Sequence, residues 1–473
     1  MKNLLLILLL LLTGEISAQQ TATIVVKTTP DNEIAYWPTG KDHLFFITLG
    51  TKAQADPQGQ FVHEFSVSRP TTIHVWAKGN NSFTLYLTPG SKDTIAVAKD
   101  TINFSGTNRV YNRCLKAVDD YQQYSDNLIY MQPHELEGVT SLEQYHQLAD
   151  ARMKQALDSV NASGLDKEFL AEQHAHIDYT HRSIFLHVAM YLVKNENFTE
   201  NWRKELAEII NQPVDSDYLR SYRGIGLFIN DLIGAQFIKL ENGKPEEIKD
   251  YCAFRFDRYR KFFKGDNLQY AQALLIYEDE FQTRNTPSIP QLYERYKAKF
   301  PNSPFLSVLE PGVNKNLCFQ NSRIDDKDYH ILPCDSTVEN LEDAVKPFKG
   351  KVVYIDVWAT WCGPCIKKFQ YLPALKEKTH NMDIVYLYIS IDRPQDKEKW
   401  EKTIGYHQLK GYHLLVNEKL GKSLYAELGN ERQILSIPCF VVIDKTGKIA
   451  IRHAAAPDEP EKVIEQLSTY YNE

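Results

Sequence analysis

The apolar positions divide the chain into three stretches with different periods. Between residues 20 and 107, short β-rich runs (Thr23–Lys27, His43–Leu49, Gln60–Val67, Thr72–Ala77, Ser82–Leu87 and Thr94–Val97) are separated by turn signals. Thr29-Pro30-Asp31-Asn32, Asp56-Pro57-Gln58-Gly59 and Thr88-Pro89-Gly90 are the clearest of these. That spacing predicts an all-β sandwich over 19–108. From 109 to 310 the period becomes helical. Ser141-Leu142-Glu143-Gln144 reads as a capping box, Pro245 suits a first helical position, and Pro133, Pro213, Pro287 and Pro301 punctuate the rest. An all-α domain of about seven or eight helices is expected.

Strand and helix patterns then alternate over 323–473, which predicts an α/β domain. A connector at Pro311–Lys315, a hairpin through Ile331 and a helix Asn340–Phe348 lead into it. The strand from Val352 is followed by helix 362–379, strand 384–391, helix 395–409, strand His413–Val416 and helix 418–428. Strands 439–443 and 449–453, joined by the turn Lys445-Thr446-Gly447-Lys448, precede a last helix 459–471.

Composition narrows the setting. The 473 residues exceed what one core organises, so several domains are expected. A net charge of −7 gives no basis for a nucleic-acid or membrane-surface partner. Lys2 and Asn3, the apolar run Leu4–Leu12 and the small-residue site Ile16-Ser17-Ala18 form a secretory signal over 1–18. The run is shorter than the roughly 20 residues of a membrane span, and no Cys adjoins the cleavage site. A soluble periplasmic or otherwise extracytoplasmic protein, without stable membrane insertion after signal removal, is therefore expected.

The chemistry concentrates in Val352–Cys365, VVYIDVWATWCGPC. Its near-continuous apolar run reads as a strand covered on both faces, and Thr360-Trp361-Cys362-Gly363-Pro364-Cys365 turns it into a helix. Cys362 then stands at a helix N-terminus, where free N–H groups and the macrodipole favour a thiolate. Pro364 is tolerated in that first turn. Two sulfurs on one turn let Cys362 attack a disulfide and Cys365 resolve the mixed disulfide. Half of a zinc site has the same CxxC spacing, but it needs two more ligands, and the chain has no second CxxC and no HxxxH. Asp356, an acid inside the apolar run, is costly unless it has a task or a partner.

These residues resemble the TlpA/ResA-like thiol-disulfide oxidoreductases of the thioredoxin superfamily, over the last third of the chain. WATWCGPC carries the resemblance, with Ile437-Pro438 opening the run Cys439–Ile443. The resemblance implies a cis Pro438 facing the dithiol. It also implies Asp356 as proton acceptor for Cys365 through a water, with a pKa raised by burial. Trp358, Trp361, Gly363, Pro364 and Ile437 would shape the substrate contact. No cofactor is implied beyond the redox-active Cys362–Cys365 disulfide, and no metal. The implied partners are envelope proteins with disulfides or thiols, and an upstream redox donor. Phe83–Leu87, Thr88-Pro89-Gly90, Asp93-Thr94-Ile95, Phe104-Ser105-Gly106-Thr107 and Asn112 resemble the DUF4369-type β domain of secreted Bacteroidetes-type proteins.

The sequence departs from the family at several points. The lysine that accompanies the buried acid falls at Tyr388, the helix proline is displaced from Gln370 to Pro373, and Lys367-Lys368 stand where an acid is common. Cys439 is either a third redox thiol or a small core residue, and Cys318 and Cys334 could pair as a staple. The helical tyrosines read as interface fillers before they read as a substrate groove. His174, His176, His181 and His187, and Arg203, Arg220, Arg223, Arg255, Arg258 and Arg260, read as core or solvated residues before metal or anion sites. Two functions compete: an enzyme exchanging disulfides, or an envelope binding or chaperone module whose CGPC disulfide is structural.

Overall fold

The computed structural model describes residues 20–39, 44, 50–79, 81–98, 101–131, 139, 141–193, 197–324 and 327–472. The signal expected over 1–18 and nearly all of the strand expected over His43–Leu49 lie outside them. By compactness the chain forms two units, Met1–Leu275 with Phe300–Phe305, and Ile276–Lys299 with Leu306–Glu473.

The first unit opens with β1 (Gln20–Lys27), β2 (Glu33–Thr39), β3 (Thr51–Gln54), β4 (Gln60–Val67), β5 (Thr71–Ala77), β6 (Asn81–Leu87), β7 (Lys92–Ala98) and β8 (Thr101–Gly106). They form two four-stranded sheets, β4-β1-β7-β8 and β3-β2-β5-β6. The sheets close over Ile24, Val26, Val75, Phe83, Leu85 and Ile95, all at 3% exposure or less. This is the expected sandwich, with β2, β3 and β8 added. Pro38 hid β2, because proline cannot donate to a ladder. It is accommodated because β3 pairs only with Glu33–Tyr36, so no neighbour on that side needs an N–H at position 38.

Helices follow: α1 (Arg109–Asp126), α2 (Leu142–Asn161), α3 (Lys167–His187), α4 (Glu200–Asn211), α5 (Ile225–Ala235), α6 (Tyr251–Phe262) and α7 (Gly265–Phe281). Ser141 and Gln144 close the capping box at the start of α2 reciprocally, as the sequence predicts. α1, α3 and α5 each run on into a π turn.

The second unit takes the end of α7 from Ile276, then α8 (Ile289–Lys299) and α9 (Leu306–Asn321). Pro311–Lys315 is thus helix interior and not a connector. Pro311-Gly312 reads as a break, yet the helix runs through it, with Gly312 buried against the Glu280 side chain.

The α/β layer comprises β9 (Tyr329–Ile331), α10 (Leu341–Val345), β10 (Val352–Trp358), α11 (Gly363–Lys368), α12 (Leu372–Lys378) and β11 (Ile384–Ser390). It continues through α13 (Lys397–Tyr406), β12 (Gly411–Leu415), α14 (Glu418–Leu428), β13 (Cys439–Ile443), β14 (Ile449–Ile451) and α15 (Pro460–Tyr471). The six-stranded sheet runs β14-β13-β10-β11-β12-β9. β10, β11, β12 and β9 are mutually parallel, and β13 and β14 close it as an antiparallel hairpin.

Two further expectations are corrected. Ile331 belongs to no hairpin, since β9 pairs in parallel with β12 at the sheet edge. Helix 362–379 is broken by a 3₁₀ turn at Phe369–Tyr371, with Pro373 in the first turn of α12, because proline cannot continue the helix that precedes it.

β10 is buried along its whole length. Period-2 alternation sends Val353, Ile355 and Val357 into one core with Leu387, Leu424 and Val441. Val352, Tyr354 and Trp358 face the opposite cores with α11, α12 and α15. Asp356 shares that second face, which puts it on the side of the sheet where α11 begins.

Candidate redox site

At the C-terminal end of β10, where open α/β sheets place their ligands, the chain must turn sharply into α11. The turn is held by a carboxylate. Asp392, 2% exposed, accepts from the Thr360 backbone N–H and hydroxyl, both at 2.8 Å, and from the Ser390 hydroxyl at 2.7 Å. The Ile391 N–H donates to the Trp358 carbonyl at 2.9 Å and ties the same loop to β11. No periodicity marks Asp392, because an acid just past a strand end reads as a loop residue, so sequence reasoning missed it. Its clue is the preceding Ser390 in an otherwise apolar strand.

Cys362 is the N-cap of α11, and the Cys365 N–H donates to its Sγ at 3.1 Å. The two cysteines form a disulfide with Cα atoms 5.3 Å apart. Cys362 is 5% exposed and Cys365 fully buried, so the first sulfur is nearer the surface. Around them Trp361 is 63% exposed, Pro364 is exposed and Gly363 half-buried, whereas Trp358 is buried edge-on against Phe369 at 5.2 Å. The Ile437–Pro438 peptide is cis. Ile437 packs on the cluster that contains both cysteines, and half-buried Pro438 follows it.

Behind the dithiol lies Asp356, 2% exposed. Neither carboxyl oxygen has a hydrogen-bond partner among the described residues, and burial pushes its pKa up to about 8. Desolvation disfavours the charged form, so the group holds its proton at neutral pH. Its register partners are Tyr388 on β11 and Phe440 on β13. Tyr388 thus occupies the position where the family carries a lysine. A different lysine approaches that tyrosine: Lys376 of α12 lies over the Tyr386 and Tyr388 rings, at 4.8 and 5.3 Å. Burial, and then Lys410, lower its pKa to about 8. His413 stacks on Tyr388 at 4.9 Å, and burial lowers its pKa to about 3. The Tyr388 hydroxyl and the Trp358 indole N–H also lack partners among the described residues. This face therefore combines uncharged polar groups, a protonated acid and a buried disulfide, an arrangement suited to moving a proton next to sulfur chemistry.

Cys439 adjoins the site: it borders an opening shared with Pro438 and Lys368 of α11, and Asp356 adds to the burial that raises its thiol pKa. It pairs in register with Val357 and packs in the core on the other face of the sheet, and burial pushes its thiol up to about 11. Cys318 and Cys334 are both free, so the staple between them does not form. Tyr121, Tyr145, Tyr179, Tyr222, Tyr259 and Tyr270 fill helix interfaces at 4% exposure or less. The four helical histidines go to separate partners: Asn161 for His174, Ser221 for His176, Tyr121 for His181 and Asp231 for His187. Arg220, Arg223, Arg258 and Arg260 sit in ion pairs with Asp266, Asp119, Glu241 and Asp257.

Residues 336–468 match the Redoxin family model. The thiol-disulfide oxidoreductase ResA of Bacillus thuringiensis subsp. konkukian is 27% identical over 112 residues, covering 24% of this chain and 60% of the relative. The thiol:disulfide interchange protein DsbE of Pasteurella multocida is 29% identical over 106 residues, covering 22% of this chain and 52% of that protein. The chain thus spans at most about 60% of the length of these curated relatives. Among solved structures, a thiol:disulfide interchange protein from Bacteroides sp. aligns with a TM-score of 0.22 at 23% identity, over 26% of this chain and 78% of that one. With the CGPC disulfide at the end of β10, the cis proline opening β13 and the acid buried behind them, the carboxyl-terminal domain is a TlpA/ResA-like domain of the thioredoxin superfamily.

Proposed function

We propose that the protein is an extracytoplasmic thiol-disulfide oxidoreductase that exchanges disulfides with envelope proteins. The observation that carries this reading is the Cys362–Cys365 disulfide at the head of α11 with a buried, unpaired acid on the same face of the sheet. A structural disulfide would not need Asp356, since burying a carboxyl without partners costs stability and gives nothing back.

In the reducing direction the Cys362 thiolate attacks a substrate disulfide, forming a mixed disulfide and releasing one substrate sulfur, which takes up a proton. Cys365 gives its proton through water to the fraction of Asp356 that is ionised, which grows as pH rises toward 8, and its sulfur attacks Cys362 Sγ. The second substrate sulfur then leaves as a thiolate and takes up a proton, becoming a thiol. The substrate gains two electrons, and the protein ends as the disulfide and is reset by an upstream dithiol donor. Trp361, Gly363, Pro364, Ile437 and Pro438 form the surface against which the substrate segment lies.

Turbidity of insulin reduced by dithiothreitol tests the reading. The wild-type chain should accelerate precipitation and Cys362→Ser should abolish the acceleration. In the periplasm, the Cys365→Ser/Cys439→Ala double variant should hold partners through Cys362 that only reductant releases. Equal insulin rates with wild type and Cys362→Ser would overturn the proposal.

A further inference from the structure

In the first unit, between the sandwich and its helices, lies a polar cavity unconnected with sulfur chemistry. An inner chamber of about 60 Å³ is lined by α1, α3, the sheet β3-β2-β5-β6 and the segment Ser221–Arg223. It shares Thr39, Thr72, Glu172 and Ser221 with an outer vestibule of about 530 Å³.

The two helices face the chamber with residues that buried helix faces normally avoid. α3 presents Glu172, His176 and Thr180 at i, i+4 and i+8, and α1 presents Asp119 and Gln122. Much of this face is satisfied internally: Thr180 donates to Gln122, Asp119 accepts from the Thr84 N–H and hydroxyl, and the His176 ring bonds the Ser221 hydroxyl, so a ligand is signalled by the groups these bonds leave over. Gln173, 2% exposed, also lines the chamber, and its Oε1 has no hydrogen-bond partner among the described residues. That is an acceptor waiting for a donor.

Charge says what kind of donor. The two spaces together are lined by five carboxylates (Asp119, Asp166, Glu168, Glu172, Asp217) against two guanidinium groups (Arg69, Arg223). Arg223 is already engaged, at 3.5 Å from Asp119 and 3.9 Å from Asp126. Glu172, where chamber and vestibule join, has as its ion-pair neighbour only His176 at 3.9 Å among the described residues. Burial lowers the pKa of His176, so that ring is neutral at pH 7. Glu172 accepts from the Ser221 hydroxyl and keeps its second oxygen for another donor. Tyr86, Phe169 and Tyr218 line the vestibule, supplying apolar surface and ring faces suited to a cation's alkyl body.

We propose that the amino-terminal unit binds a small organic cation with a primary ammonium group, with Glu172 as counter-charge and Gln173 Oε1 as a second acceptor. The ammonium enters the chamber and the carbon chain lies in the vestibule. This gives the unit a ligand of its own, whether or not the dithiol domain turns over disulfides.

Isothermal titration of the full chain with butylammonium chloride at low ionic strength tests it, with 1-butanol as the neutral analogue of equal size and glucose as a polyol control. Saturable butylammonium binding is expected, with none for 1-butanol or glucose. Glu172→Gln should weaken it at least tenfold with an unchanged circular dichroism spectrum. Should Glu172→Gln fail to fold, Asp217→Asn on the exposed rim decides, with a several-fold loss expected. No butylammonium binding, equal binding of 1-butanol or glucose, or affinity unchanged in the variant that folds would each overturn the proposal.

Discussion

At the scale of the residue, Asp356 is an acid whose protonation the fold moves by burial into the range where thiols titrate. Its pKa is about 8 in the folded protein, against 3.8 for the unperturbed side chain, so the folded state binds more protons than the unfolded chain between those values. Stability contributed by the protonated form is complete below pH 4 and is lost as pH rises through 8. Asp356→Asn, which cannot ionise, should therefore gain on the wild type as pH rises from 5 to 9, by on the order of several kcal/mol. Denaturant melts at both pH values check this, and parallel curves would show that the acid is not desolvated. The same titration bears on rate. Only the ionised form accepts a proton from Cys365, so resolution of a mixed disulfide, followed by Trp358 and Trp361 fluorescence, should speed up through pH 8 in the wild type. In Asp356→Asn it should be slower and lack that rise.

At the scale of the element, the decisive piece is the loop Ala359–Trp361, which Asp392 fastens to the end of β11. Removing the carboxylate in Asp392→Ala leaves the buried Thr360 N–H and the Thr360 and Ser390 hydroxyls without their acceptor, each unsatisfied group costing about 1–3 kcal/mol. A lower melting temperature is expected, together with a shifted Cys362–Cys365 redox potential, because the fastening sets where Cys362 caps α11. A glutathione redox titration unchanged from the wild type would show that the fastening serves stability alone. This part of the site was illegible in the sequence. Cys362 and Cys365 were legible because motif spacing defines them, and the cis isomer of Pro438 because the family resemblance implies it, whereas the Asp392 contacts join residues 32 apart that only the register of β10 on β11 brings together. The same limit acted on the elements. Strand 439–443 and helix 418–428 match the sequence reading because period and caps are local. β2 and the interior of α9 were missed because Pro38 and Pro311-Gly312 punctuate by local rules that tertiary pairing overrides.

At the scale of the whole molecule, the question is where the redox-bearing unit begins. The alternation of strands and helices sets its start near 323, but the compact unit also takes Ile276–Lys299 and α9. Phe319 of α9, 1% exposed, packs on Tyr406 of α13 at 5.6 Å, and the Lys402 amine donates to Gln320 at 3.0 Å. Gly405 passes so close to Arg323 that a Cβ there would lie 2.6 Å from its carbonyl oxygen. α7 and α9 are joined in turn by buried Asp279, which accepts from Asn316 at 3.2 Å and from the Thr286 N–H. A fragment 323–473 exposes the face of α13 that Phe319 covers, and losing one buried phenylalanine typically costs about 3–5 kcal/mol. A fragment 276–473 should therefore melt cooperatively and reduce insulin at the rate of the full chain. The shorter one should unfold at clearly lower urea with a smaller m-value, since less surface is buried on folding. Equal midpoints for the two would mean that the helical layer rests on the α/β core without stabilising it.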